Sequence, residues 1–276
     1  MTPLITANQL EEIINSGENV LLCDCRFDLV DPQAGKKAYE EGHIPGAVYV
    51  DLDQDLSGPK TGKNGRHPLP TPEAWAQTKS RLGMDSKTLV VAYDGQGSVY
   101  ASRLWWMLKA TGHAKVQVLD GGLDSWNGPI GTMPRQAKPT DTPVPTMPYV
   151  GLVPVGGIVE NLQTKKSVVI DARANDRFHG QNETLDPIGG HIPDAINYFF
   201  RDNLSGKLFK TPEQLYKDFH ELLGSTKASE VIHQCGSGVT ACHNLLAMEI
   251  AGLKGSRLYA GSWSEWCADP SRPVAL

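Results

Sequence analysis

One stretch of this chain has the residue types and spacing of a reactive site: His233-Gln234-Cys235-Gly236-Ser237-Gly238-Val239-Thr240-Ala241. It reads as a strand ending at Cys235, a short glycine-bearing turn and a helix that begins near Thr240. Gly236 and Gly238 permit positive φ and close backbone approach, so successive amide N–H groups can converge on the sulfur as an anion-binding nest. The helix N-terminus adds its partial positive charge. Together these lower a thiol pKa and make the cysteine nucleophilic. Two quieter readings use the same residues, a small buried hydrophobe at a strand end or a cradle for phosphate. A Walker loop would need Gly-Lys followed by Ser or Thr, which is absent. A phosphatase loop would end in an arginine, where Ala241-Cys242-His243 stand.

The chain supplies its own control, because it is written twice. LLCDCRFD, YEEGHIPGAVYV, TPEAWAQTKSRLG, TLVVAYDGQGSVYASRLWWMLKATG and VLDGGLDSW recur in the same order as SVVIDARAND, GGHIPDAINYF, TPEQLYKDFHELLG, EVIHQCGSGVTACHNLLAMEIAG and LYAGSWSEW. Offsets run from 147 (Asp24 to Asp171) and 148 (Gly42 to Gly190) down to 140 (Thr71 to Thr211), a period that makes these duplicated domains rather than solenoid units. Asp94 occupies in the first copy the place of Cys235 in the second. One chemical site is therefore expected, in the second half.

The elements that must position this loop follow from local pattern. Leu89–Tyr93 and Ser167–Ile170 are short apolar β-branched runs bounded by turn residues, which predicts buried strands. Thr71-Pro72-Glu73 and Thr211-Pro212-Glu213 predict helix starts, closed by Gly83 and Gly224. Strands alternating with helices argue for an α/β fold with mainly parallel sheets, whose sites form at the carboxyl ends of strands. Seven prolines between Pro129 and Pro154 predict an extended linker, long enough to wrap one domain around the other. The expected division is thus 1–127 without a catalytic cysteine, a linker over 128–154 and a catalytic domain over 155–276.

Composition narrows the function classes. The 276 residues carry 26 Lys and Arg against 31 Asp and Glu, a net charge of −5, with no basic block. Nucleic acid and anionic membranes are poor partners for such a chain. The five cysteines, Cys23, Cys25, Cys235, Cys242 and Cys267, are odd in number and sparse, unlike a disulfide framework. With no leader-like start and no stretch of ~18 uninterrupted apolar residues, the expectation is a soluble cytoplasmic protein in a reducing compartment. The N-x-[ST] matches at Asn182 and Asn203 then count as chance. Cys23 and Cys25 lack a second Cys or His pair at ligand spacing, so no metal site is expected.

CGSGVTA at 235–241, GHIP at 42–45 and 190–193, DGGLDSW with GSWSEW, and a duplication with cysteine in the second copy only resemble the two-domain rhodanese superfamily of sulfurtransferases over nearly the whole chain. The resemblance implies two tandem rhodanese-like domains, each a mainly parallel sheet flanked by helices. The CG[ST]GVT loop resembles that of the 3-mercaptopyruvate sulfurtransferases, whereas thiosulfate-using rhodaneses carry a cationic Arg-Lys pair there. Chemistry agrees, because thiosulfate is a dianion while Gly236 and Ser237 bring no charge.

What the resemblance implies for the site is a ping-pong sulfur transfer. Cys235 takes sulfur from a small-molecule donor, the turn of Gly236, Gly238, Val239 and Thr240 holds the persulfide, and a thiol, thioredoxin-like protein or cyanide accepts it. No metal or organic cofactor is implied. Arg177 matches an arginine that binds the donor's carboxylate, with an inter-domain salt bridge as the other reading. A second substrate arginine before GHIP is missing from Phe178–Pro193, and His179 or Arg66 could stand in. Ser237, His67 and Asp53 match a proton relay across the domains, against the reading of a surface-loop histidine with an unrelated aspartate. The alternatives are a thiosulfate:cyanide sulfurtransferase and a non-catalytic persulfide carrier. Asp24 and Asp171, each two residues before an arginine, read as scaffold ion pairs, and His43 and His191 as structural. Trp126, Trp263 and Trp266 read as core or interface anchors, Cys242 as packing and Cys267 as an open case, an exposed redox thiol being one possibility.

Overall fold

The computed structural model describes residues 1–140 and 146–276; Pro143 and Pro145 of the expected linker lie outside the described residues. Contacts divide the chain into two compact units, Met1–Gly58 with Pro70–Val150, and Pro59–Leu69 with Gly151–Leu276. The described start of the linker thus packs with the first unit, and the 59–69 segment packs with the second. That segment can do so because Gly65, at φ +88, lets the backbone approach the Gly261 carbonyl, where an added Cβ would stand 2.8 Å from the oxygen. The Arg66 N–H also donates to Ser264 Oγ at 3.0 Å.

The first unit contains strands β1 (Leu4–Ile5), β2 (Val20–Asp24), β3 (Val48–Tyr49), β4 (Leu89–Tyr93) and β5 (Val116–Leu119). They form one parallel sheet in the order β1-β5-β4-β2-β3. Every residue of β4 is buried, as a central parallel strand requires. Helices α1 (Ala7–Ser16), α2 (Ala34–Glu41), α3 (Pro72–Arg81) and α4 (Val99–Ala110) cover it. The expected start of α3 is present: the Thr71 hydroxyl accepts the Ala74 N–H, with Pro72 in the first turn.

The second unit repeats the plan with helix α5 (Val155–Thr164), strand β6 (Val168–Asp171), helix α6 (Asn175–Phe178) and strand β7 (Ile196–Asn197). A hairpin of β8 (Leu204–Ser205) and β9 (Leu208–Phe209), then α7 (Pro212–Leu223), β10 (Val231–Gln234), α8 (Thr240–Ile250), β11 (Arg257–Leu258) and α9 (Ser262–Trp266) follow. The parallel order is β11-β10-β6-β7. Ile158, Val169, Ile192, Ile232, Trp263 and Trp266 fill its core on the α5 and α9 side.

The duplicated motifs are duplicated devices. Arg26 forks onto Asp24 and donates to the Gly42 carbonyl at 2.7 Å; Arg173 does the same with Asp171 and Gly190, also at 2.7 Å. His43 Nδ1 meets the Tyr39 carbonyl at 2.7 Å and His191 Nδ1 the Phe178 carbonyl at 2.9 Å, each ring stacked on that aromatic. Each histidine also makes an isolated bridge to a late segment of its unit, Gly131 or Ala275. The GHIP motif thus closes each domain rather than serving chemistry. Trp263 and Trp266 are wholly buried core residues, and Trp126 packs on the first core.

Candidate active site

Cys235 follows the end of β10, and α8 starts at Thr240. Between them the backbone turns at Gly238, whose φ of +77 and whose contact with Ala260 admit glycine alone: a Cβ would lie 2.3 Å from the Ala260 oxygen. The Gly238 N–H donates to Cys235 Sγ at 3.1 Å. This is the contact expected of a nest that favours negative sulfur. The start of α9 pins the loop from behind. Ser262 Oγ accepts the Cys235 N–H at 3.1 Å, the Trp263 N–H donates to the Cys235 carbonyl at 3.0 Å, and the Ser264 N–H to that of Gly236 at 2.9 Å. Val239 precedes the helix with its carbonyl accepting the Cys242 N–H at 3.0 Å, so Val239 and Thr240 contribute backbone to the turn.

Side chains from three further segments converge on this turn. Ser237 Oγ and His67 Nδ1 are 2.8 Å apart, both residues buried. The missing side chain of Gly236 leaves room for guanidinium groups: a Cβ there would stand 2.8 Å from Arg66 Nη2 and 3.6 Å from Arg177 Nη2. Arg177, on the short helix α6, is held by Glu183 through Nε at 3.1 Å and Nη2 at 2.9 Å. Arg66 is ion-paired with Asp186, whose other oxygen lies 3.7 Å from Arg177. Burial pushes the Asp186 carboxyl up, against the pull of Arg66. Glu183 feels the same burial, but the Leu185 N–H and the Arg177 guanidinium hold it below its ordinary value.

These positions sort the expected residues. Cys235, Ser237, His67, Arg66, Arg177, Gly236, Gly238, Val239 and Thr240 belong to one unit and stand around one turn. Asp53 belongs to the first unit, where its N–H donates to Asp51 Oδ1 at 2.8 Å. The ion pairs of Arg177 are with Glu183 and Asp186 of its own unit. His179 is exposed and edge-on to Phe178 at 5.0 Å, so it is Arg66, and not His179, that joins Arg177 at the loop. Glu183, Asp186 and Ser262 were not singled out from sequence. A signal existed for the first two, since both acids lie in the stretch between Arg177 and GHIP in which an arginine was sought.

The remaining thiols are differently placed. Burial pushes Cys23 and Cys25 up. Cys267 is also buried, which corrects the possibility of an exposed redox thiol, and burial pushes it up to about 11. Cys242 Sγ donates to the Gly238 carbonyl at 3.3 Å, packing the first turn of α8 onto the loop. In the first unit, the carboxylate of Asp94 accepts the N–H groups of Gln96 and Ser98 at 2.9 Å, Tyr100 at 2.8 Å and Ala101 at 3.0 Å. The cradle there is filled by the chain's own anion. Among the described residues no group of three or more His, Cys, Asp or Glu could hold a metal ion, and no helix is long and apolar enough to cross a membrane.

Comparison with known proteins gives the family. The rhodanese-like domain model matches residues 6–129 and again 157–269. The chain is 43% identical to the "Probable 3-mercaptopyruvate sulfurtransferase" of Pseudomonas aeruginosa, covering 99% of this chain and 97% of that one. It is 37% identical to the human 3-mercaptopyruvate sulfurtransferase, over 95% and 91% of the two chains. The crystal structure of SseA from Escherichia coli, a 3-mercaptopyruvate sulfotransferase, superposes with a TM-score of 0.82 at 28% identity, covering 95% of this chain and 99% of that one. With the domain matched twice and relatives aligned end to end, this chain belongs to the rhodanese-like domain family.

Proposed function

We propose that the protein is a sulfurtransferase that carries sulfur from 3-mercaptopyruvate to a thiol, a thioredoxin-like protein or cyanide through a persulfide on Cys235. The observation that carries this reading is a cysteine at a strand-to-helix turn with two guanidinium groups converging beside it. The donor has a thiol at one end and a ketone and carboxylate at the other, so Arg66 and Arg177 offer its oxygens charge-assisted hydrogen bonds while its sulfur faces Sγ. The Cys235 thiolate attacks the donor sulfur; the S–S bond forms, the donor's C–S bond breaks and the electron pair leaves as the enolate of pyruvate. Ser237 and His67 deliver the proton that turns this enolate into pyruvate. An acceptor thiolate then attacks the outer sulfur and the Cys235 thiolate is restored.

The first unit supports the cradle's part in this. Asp94 carries a negative oxygen two bonds from Cβ, which is where a persulfide carries its outer sulfur. The amides of Ser237, Val239 and Ala241 occupy the sequence positions of three of the four that bind Asp94, and they would bind the outer sulfur likewise. Removing the relay should cost a proton-transfer advantage of roughly 10²-fold in kcat/KM, so Ser237→Ala and His67→Gln should each fall by about that factor. Asp53→Asn tests the third member in the same assay.

Steady-state kinetics with both donors at a fixed acceptor, with intact-mass detection of the persulfide, test the whole reading. The expected result is a higher kcat/KM for 3-mercaptopyruvate. A higher value for thiosulfate overturns the donor assignment, and failure of both donors to load Cys235 overturns the enzyme assignment in favour of a carrier loaded by a partner. One observation favours thiosulfate, the pair of arginines; their acidic partners weigh against it.

A further inference from the structure

The charges around the loop cancel. Arg173 faces Asp171 at 2.7 Å and Glu183 at 3.5 Å, Arg177 faces Glu183 at 2.9 Å, and Arg66 faces Asp186, so three guanidiniums are set against three carboxylates. Asp171 and Glu183 are fully engaged, one by the fork of Arg173 and the other by Arg177 and two backbone N–H groups. Asp186 is not. Its side chain is 3% exposed, yet Oδ2 has no hydrogen-bond partner among the described residues. The pair it makes with Arg66 borders a cleft of about 340 Å³ lined by Lys60, Arg66, Leu185, Pro187 and Ser264. Arg66 is in turn the guanidinium nearest to Gly236.

We infer that Asp186 is the specificity-determining residue of the donor site: its carboxylate, paired with Nη1 of Arg66 while Nη2 faces Gly236, sets a local charge that admits a monoanionic donor and resists a dianionic one. The inference rests on the sulfurtransferase reading above and deepens it. A carboxylate donor reaching Arg66 meets Nη2, the nitrogen nearest Gly236, while Nη1 stays paired with Asp186, so the guanidinium is shared between two carboxylates. Because the cluster's own charges already cancel, a dianion leaves it two negative charges in excess where a monoanion leaves one, at a distance where a unit charge is strongly felt inside a protein. The neutral turn of Gly236 and Ser237 is then only half of the discrimination. The other half is a fixed negative charge behind the arginines.

Three variants and two readouts test this. Asp186→Asn keeps the shape and removes the charge; Leu185→Lys adds a cation at an exposed position on the same cleft and leaves Asp186 in place; Asp186→Glu keeps the charge. The first readout is the ratio of kcat/KM for thiosulfate to that for 3-mercaptopyruvate. The second is the dissociation constant of inorganic sulfate by calorimetry at constant ionic strength, which needs no turnover. Asp186→Asn and Leu185→Lys should each raise the ratio by ~10-fold or more and tighten sulfate by a similar factor, with Asp186→Glu close to the unaltered protein. If both quantities stay unchanged in Asp186→Asn and in Leu185→Lys, the inference is overturned. If Asp186→Asn weakens sulfate and slows both donors equally, Asp186 merely positions Arg66 and the inference is again overturned. Should the unaltered protein turn over neither donor, the proposed function falls while the sulfate titration still decides on Asp186.

Discussion

A Cys235→Ser variant is expected to lose roughly four or more orders of magnitude in kcat/KM with either donor, while unfolding at the same temperature as the unaltered protein. Serine fits the space and keeps the backbone bonds that fix the turn, the Cys235 N–H to Ser262 Oγ and the Cys235 carbonyl to the Trp263 N–H. What it cannot do is carry a thiolate or form an S–S bond. No other thiol is placed to substitute. Cys23 and Cys25 belong to the first unit, Cys267 is held near pKa 11, and the Cys242 sulfur is spent on the Gly238 carbonyl. The check is kinetics together with intact mass after exposure to donor: added sulfur on the unaltered protein, none on the variant. Retained activity in Cys235→Ser would remove the site assignment entirely.

The second large effect is on stability. Asp171→Ala should cost roughly 3–5 kcal/mol, because it removes the forked partner of a buried guanidinium and leaves it Glu183 at 3.5 Å as its remaining counter-charge. Arg173 is 1% exposed in its side chain and Asp171 wholly buried, so no water can replace the lost carboxylate. The damage should reach the chemistry, since Arg173 lies over the ring of Trp263 at 4.8 Å and that residue's N–H holds the Cys235 carbonyl. The equivalent change in the first unit is the control. Arg26 is 12% exposed, so Asp24→Ala should cost less and leave persulfide formation on Cys235 intact. Urea titrations of both variants, with the midpoint and slope compared, give the answer; a shift under about 1 kcal/mol for Asp171→Ala would mean the pair is not needed for the fold.

Local pattern made much of this molecule legible. The Thr-Pro helix starts and the Leu89–Tyr93 strand stand where capping chemistry and apolar runs placed them, and the 167–170 and 235 strand bounds shift by one residue, because each is decided by neighbours a few residues away. The proposal of Cys235 as the nucleophile has a different source, the presence of Asp94 at the same step of a duplicated loop. What sequence could not convey was the company each residue keeps across long separations. Arg66 reaches the turn only because residues 59–69 pack with the second unit, a choice that rests on Gly65 lying against Gly261. Asp186 and Glu183 carry no local signature of their pairing, since the arginines they meet are set by the fold and not by neighbours in the chain. His43 and His191 show the converse, two residues of reactive type whose carbonyl bonds and stacked rings make them fasteners.

Asp94 has one more consequence, and it concerns motion. A loop whose amides are tied to a built-in carboxylate has no empty state, so its backbone hydrogens have little occasion to open to solvent. The matching loop of the second unit must pass through an unoccupied state in every catalytic cycle, and local opening free energies track how well such groups are satisfied. Two copies of one turn therefore sit at opposite ends of a scale of breathing. The copy expected to open least is the one without the cysteine.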